Sequence, residues 1–119
     1  MKFGKTILAV ALLLGCAVLS AQSADEAFDN LYNGLKQNGT EVNKFVSGNT
    51  RILFLNYPLQ ISSSSVKYDF DKGKKEMIDK FLRGTVDEKL IKRGNIILIY
   101  NYITTDRKIY SIVVTKDDF

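Results

Sequence analysis

Histidine and tryptophan are missing from this 119-residue chain, and cysteine and proline occur once each, as Cys16 and Pro58. Without histidine no Ser-His-Asp or Cys-His nucleophile can be assembled and no imidazole can bind a metal. One cysteine cannot build a thiolate zinc site or an intrachain disulfide. Carboxylate, lysine and tyrosine chemistry is what remains. Also absent are a G-x-x-x-x-G-K-S loop, a G-x-G-x-x-G turn and an EF-hand loop. Asp69-Phe70-Asp71-Lys72-Gly73 starts as a calcium loop does, but lysine stands at the next alternate position and no bidentate acid follows in place. Neighbouring acids such as Asp69 with Asp71, and Asp87 with Glu88, read as helix caps rather than as a glycosidase-like pair. The residues imply no enzyme, no metal site and no cofactor.

Long apolar runs are scarce too. The one at the amino terminus, residues 6–19, spans 14 residues, fewer than the roughly 18 to 20 that a bilayer-crossing helix needs. Lys2 and Lys5 precede or open it and small residues follow through Ala24. This is the pattern of a signal peptide over residues 1–23, ahead of a single domain over 24–119. Two processing routes are open. Cleavage among Ser20, Ala21, Gln22 and Ser23 leaves a soluble product without cysteine. Alternatively, Leu13-Leu14-Gly15-Cys16 resembles the bacterial lipobox, which implies lipid on Cys16 as the new amino terminus. The expected location is outside the cytoplasm, secreted or periplasmic, with any membrane attachment through Cys16 alone.

Charge of one sign is not in large excess either. The chain has 17 Lys+Arg against 13 Asp+Glu, a net +4. Lys2 and Lys5 leave with the leader and no acid does, so 15 basic residues then face 13 acidic ones, a net +2. Both signs are interspersed, and no nucleic-acid partner is implied.

Within residues 24–37, Ala27, Phe28, Leu31, Tyr32 and Leu35 recur three and four apart, behind Asp25 and Glu26 and ahead of Lys36. That is a helix with its dipole complemented, and Asn38-Gly39 stops it. A second helical turn is expected over 40–46, with Val42, Phe45 and Val46 on one side. Residues 51–57 then read as a strand ended by Pro58. Four serines, 62–65, read as a loop tip, or alternatively as a polar edge strand, and lead to another strand over 66–70. A helix over 72–83 is stopped by Gly84, and Thr85-Val86-Asp87-Glu88 reads as a capping box opening a short helix that ends at Gly94. Residues 95–104 and 108–116 form a hairpin around 105–107. The fold class expected is α+β, an antiparallel sheet of three or four strands with helices packed on one face.

On the strand at 95–104, Ile97, Ile99 and Ile103 share one face and Leu98, Tyr100 and Tyr102 the other. Both faces are apolar, but only the second carries hydroxyls. Tyr100 and Tyr102, with Tyr110 on the partner strand and Tyr57 and Tyr68 extending the set, are the candidate binding residues, because tyrosine offers large contact area at low entropy cost and a polar tip. The plainer alternative is that these rings are half-buried partners of the helices with their hydroxyls at the rim. The mixed run over 67–93 has nine basic residues against six acids, and this interspersion reads as solvated helix faces rather than an anion site. Asn38-Gly39-Thr40 matches an N-glycosylation sequon. The functional expectation is a small exported, non-enzymatic protein that contacts another protein, or a second copy of itself as a homodimer, through the tyrosine-bearing sheet face. The alternative is a carrier of a small apolar ligand held between sheet and helices, which requires a cavity of a few hundred cubic ångströms.

Overall fold

The computed structural model describes residues 23–119; residues 1–22, on which the expected signal peptide and Cys16 fall, lie outside the described residues. Helix α1 (Ala24–Gln37) follows the predicted stripe, with Ala27, Phe28 and Leu31 buried. Its N-cap is a reciprocal box. The Ser23 hydroxyl accepts from the Glu26 amide at 3.1 Å, and the Ser23 amide donates to the Glu26 carboxylate at 3.0 Å. Two of the amides at the helix start are satisfied in this way.

Residues 40–46 are not helical. They form strand β1 (Glu41–Ser47), paired antiparallel with β2 (Thr50–Pro58). The spacing of Val42, Phe45 and Val46 imitates a helical stripe, but the two-residue turn at Gly48-Asn49, with Gly48 at φ +59°, sets a hairpin, and only Val42 of β1 is buried. The serine loop contains a short 3-10 turn, Ser63–Ser65. The strand expected over 66–70 is absent. Asp69 instead caps helix α2 (Phe70–Met77), its carboxylate accepting from the Lys72 amide at 3.1 Å. The helix then widens into a π-helical turn, Ile78–Leu82, marked by the Arg83 amide donating to the Ile78 carbonyl at 2.7 Å.

Helix α3 (Val86–Gly94) starts where the capping box was expected, but the box is not formed. Thr85 turns its hydroxyl back to the Leu82 carbonyl at 2.6 Å, and Glu88 reaches past it to the Gly84 amide at 2.8 Å, the donor freed by the tight turn before the helix. Asn95, left-handed at φ 49°, ends α3. Strands β3 (Ile96–Ile103) and β4 (Ile109–Val114) form the predicted terminal hairpin, and a 3-10 turn, Lys116–Asp118, follows. Among the described residues no helix is long and apolar enough to cross a membrane.

The four strands lie in the order β1-β2-β3-β4. The class is α+β, but the sheet is mixed rather than antiparallel. Each hairpin is antiparallel, while β2 and β3 run parallel, because the connection between them is a helical crossover and not a tight turn. Register places the buried side chains in rows across the sheet: Leu53, Leu98 and Val114; then Val42, Leu55, Tyr100 and Ile112; then Tyr57, Tyr102 and Tyr110. The first two rows join Phe28, Leu31, Ile78, Leu82, Leu90 and Ile91 of the helical segments in one buried cluster. Arg51 locks the start of β2 to α1 and α3, donating to Asp25 at 2.8 and 3.0 Å and to the Gly94 carbonyl at 3.5 Å.

Candidate functional site

All five tyrosines singled out from the sequence fall into one aromatic cluster. Tyr57, Tyr102 and Tyr110 form a single row because β2, β3 and β4 bring those positions into register. Tyr57 stacks on Tyr102 with centroids 5.5 Å apart and on Tyr100 at 6.2 Å. Phe70, the first residue of α2, is the joint. It stacks on Tyr110 at 5.2 Å, meets Tyr68 edge-on at 5.0 Å and tilts toward Tyr102 at 6.2 Å. Phe70 was missed from sequence because it was assigned to a strand tail; the Asp69 cap one residue earlier was the available signal.

These rings do not lie on a bare sheet surface. Tyr100 is only 8% exposed, and Tyr57, Tyr102 and Tyr110 are half-buried. Tyr68 lies beyond the sheet, with its ring on Gly73 of α2: a Cβ added at Gly73 would stand 2.0 Å from the Tyr68 hydroxyl. The missing Cβ is what lets the Tyr68 ring lie against the helix at this point.

Two cavities flank the cluster. The larger, about 450 Å³, opens between the tyrosines and the segment of α2 and π-turn that carries Glu76, Met77, Lys80 and Phe81. The smaller, about 290 Å³, is lined by Leu59, Ile61, Val66 and Phe70, with Tyr68 and Tyr102 shared between the two. The π-turn shapes the larger one. It keeps Ile78 and Leu82 in the core and leaves Phe81 69% exposed at the cavity. Local π-helical widening of this kind recurs at functional sites.

Burial dominates the electrostatics of the ring cluster. Burial pushes the Tyr100 phenol above its ordinary value, and Tyr57, Asp87 and Tyr102 add to the shift; burial, Tyr57 and Tyr68 do the same to Tyr102. Phenols held protonated in this way donate and accept hydrogen bonds at neutral pH and do not abstract protons. Burial also raises Asp87, in the first turn of α3. Glu76 pairs with Lys80, one helical turn on, at 3.8 Å, and both line the larger cavity. Elsewhere in the mixed-charge run Arg83 pairs with Asp79, Lys92 with Glu88 and Lys74 with Asp118. Among the described residues no group of three or more acids converges to hold a metal ion.

The opposite face of the sheet carries the other alternating set. Phe45 is 50% exposed, Val113 40% and Ile109 61%, and Ile52, Phe54, Ile97, Ile99 and Ile103 are half-buried among them. A polar ladder crosses this face. Asn56 donates to Glu41 at 3.1 Å, Asn101 donates to Asn56 at 3.1 Å, and Ser111 donates to Asn101 at 2.6 Å. Period-two patterning alone does not reveal this ladder, since its members lie on four strands whose order the sequence leaves open. Compared with protein families, with curated proteins and with solved structures, the chain matches none.

Proposed function

We infer that this is an exported, non-enzymatic binding protein that takes a small, largely apolar ligand into the tyrosine-lined cavity between sheet and helices. The reading takes α1, α2 and α3 to cover the same face of the sheet, as the single buried cluster of helix and strand side chains supports. The observation that carries it is the convergence of Tyr57, Tyr68, Tyr100 and Tyr102 on a cavity of about 450 Å³, within the usual size range of ligand sites. Tyr57 and Tyr102 sit at the carboxyl ends of the parallel pair β2 and β3, the end at which ligands gather in open sheets with parallel strands.

A second reading, contact with another protein or a second copy of the chain, now rests on the opposite face. Phe45 and Val113 are exposed there on one side of the polar ladder and Ile109 on the other, and exposed apolar side chains gathered on one face are common at interaction sites.

One titration separates the two. The neutral fluorophore N-phenyl-1-naphthylamine is added to the isotope-labelled protein and followed by emission and by amide chemical shifts. Saturable binding with shifts at Tyr57, Met77 and Tyr102 is expected. Shifts confined to Phe54, Ile99 and Val113 would overturn the cavity reading in favour of the sheet surface.

A further inference from the structure

On the wall of the larger cavity one buried polar group is left over. Tyr100 is only 8% exposed, lines the cavity, and its hydroxyl has no hydrogen-bond partner among the described residues. The ring is held in place: β3 sets it between Leu55 and Ile112 of the neighbouring strands, and Tyr57 stacks on it with centroids 6.2 Å apart. Buried phenols normally find a partner, and an unpaired one calls for an explanation. Tyr57, Tyr68 and Tyr102, on the same cavity, are half-buried or exposed, so bulk water can serve their hydroxyls. Tyr100 is the phenol for which a ligand decides the matter. A purely apolar ligand would strip water from it without replacing the hydrogen bond, and displacement of that kind loses affinity.

The charges on the wall favour a neutral partner. Among the described residues that line the cavity, the charged ones are Glu76 and Lys80, and they pair with each other at 3.8 Å. Neither sign is left in excess. A carboxylate or an ammonium group entering here would give up its water against a wall without a free counter-charge. A hydroxyl or carbonyl gives up far less, and the phenol can both donate to it and accept from it. Met77, Leu82 and Ile112 supply apolar lining for the rest of the molecule.

We propose that the larger cavity binds an uncharged molecule carrying a hydroxyl or carbonyl group on an apolar body, with the polar group bonded to the Tyr100 hydroxyl and the body against Met77, Leu82 and Ile112. This rests on the cavity reading above and adds the chemical class of the ligand.

Four probes of similar shape test it at pH 7: 2-phenylethanol, ethylbenzene, 2-phenylethylamine and 3-phenylpropionate. Each is titrated into the purified protein by calorimetry and by displacement of bound N-phenyl-1-naphthylamine. The alcohol should bind about fivefold tighter than ethylbenzene, the ratio that one net hydrogen bond confers, although ethylbenzene is the more apolar of the two. It should also bind tighter than either ion. Tyr100→Phe should erase its lead over ethylbenzene. The wild-type ranking is read independently of whether that variant folds. Ethylbenzene or an ion binding as tightly as the alcohol, a lead that survives Tyr100→Phe, or no binding of the alcohol where the fluorophore binds would overturn the ligand class and leave the cavity reading standing. Failure of all four probes and of the fluorophore would overturn both.

Discussion

Gly73 shows how much one missing methyl group decides. It lies in the middle of α2, where alanine is favoured over glycine by about 1 kcal/mol, yet the Tyr68 ring occupies the space its Cβ would need. Tyr68 is mostly exposed and free to swing away. Gly73→Ala should therefore leave the melting temperature unchanged or slightly raised, while N-phenyl-1-naphthylamine affinity falls several-fold because the cavity loses one wall. A melting temperature lowered by many degrees would mean that Tyr68 cannot move and the packing is rigid. No pattern in the sequence announces this contact; a helical glycine only becomes meaningful when its neighbour in space is known. The tyrosines are different. Their membership of one face was legible from the alternation of Leu98, Tyr100 and Tyr102 with Ile97 and Ile99. Which face turns inward was not, because both sets are apolar and a period of two separates faces without ranking them.

At the scale of elements, the strands and helices with strong punctuation were readable: α1 with its flanking charges, α3 between Gly84 and Asn95, and the terminal hairpin. The two that were misread share a cause. Val42, Phe45 and Val46 fit a helix and a strand alike in so short a window, and pairing with β2 decided between them. Residues 66–70 alternate as a strand should, but no neighbouring strand is available to them, and Asp69 draws the last of them into α2. The serine loop is instead held by Asp106 at the tip of the β3–β4 hairpin. The Asp106 carboxylate accepts from the Ser63 amide at 2.8 Å and from the hydroxyls of Ser63 and Thr104, while the Thr105 amide donates to the Ile61 carbonyl. Hydrogen bonds from Ser63 and Thr104 hold Asp106 well below the usual carboxylate range. The folded state thus releases this proton more readily than the unfolded chain does. The contribution is present above the ordinary carboxylate value of about 4 and is lost as pH falls below it toward the lowered folded value. Asp106→Asn should speed amide exchange at Ser63 and Thr105 at neutral pH, with exchange in the β2–β3 pairing unchanged. Exchange rates that stay at the wild-type values would show that the loop is held by something else.

For the whole molecule the corresponding prediction lies in alkali. Burial raises Tyr100 and Tyr102 above the ordinary phenol value, so the unfolded chain loses these protons first. Stability conferred by the protonated phenols is complete below about pH 10 and declines as pH rises beyond it toward the raised folded values. The urea midpoint should hold between pH 7 and 9 and drop above 10, and Tyr100→Phe should flatten that drop. An equally steep decline in the variant would assign the effect to other groups. The mixed sheet belongs to this scale as well. Its two hairpins are local and visible in the chain, whereas the parallel join between β2 and β3 pairs positions such as Asn56 and Asn101, 45 residues apart, and only the completed molecule selects it.

That join also imposes an order in time. The hairpins close over short loops and can form within microseconds, but β2 must wait for two helices and a third strand before its second edge is covered. A chain that appears amino end first exposes Ile52, Leu53, Phe54 and Leu55 on an unpaired edge during that interval, the kind of segment that templates aggregation. In the finished fold those four residues are in the middle of the sheet, and the exposed edges have passed to β1, with Glu41 and Lys44, and to β4. The hazard at this edge therefore belongs to the delay between the two halves of the chain, after which β2 is paired along both of its edges.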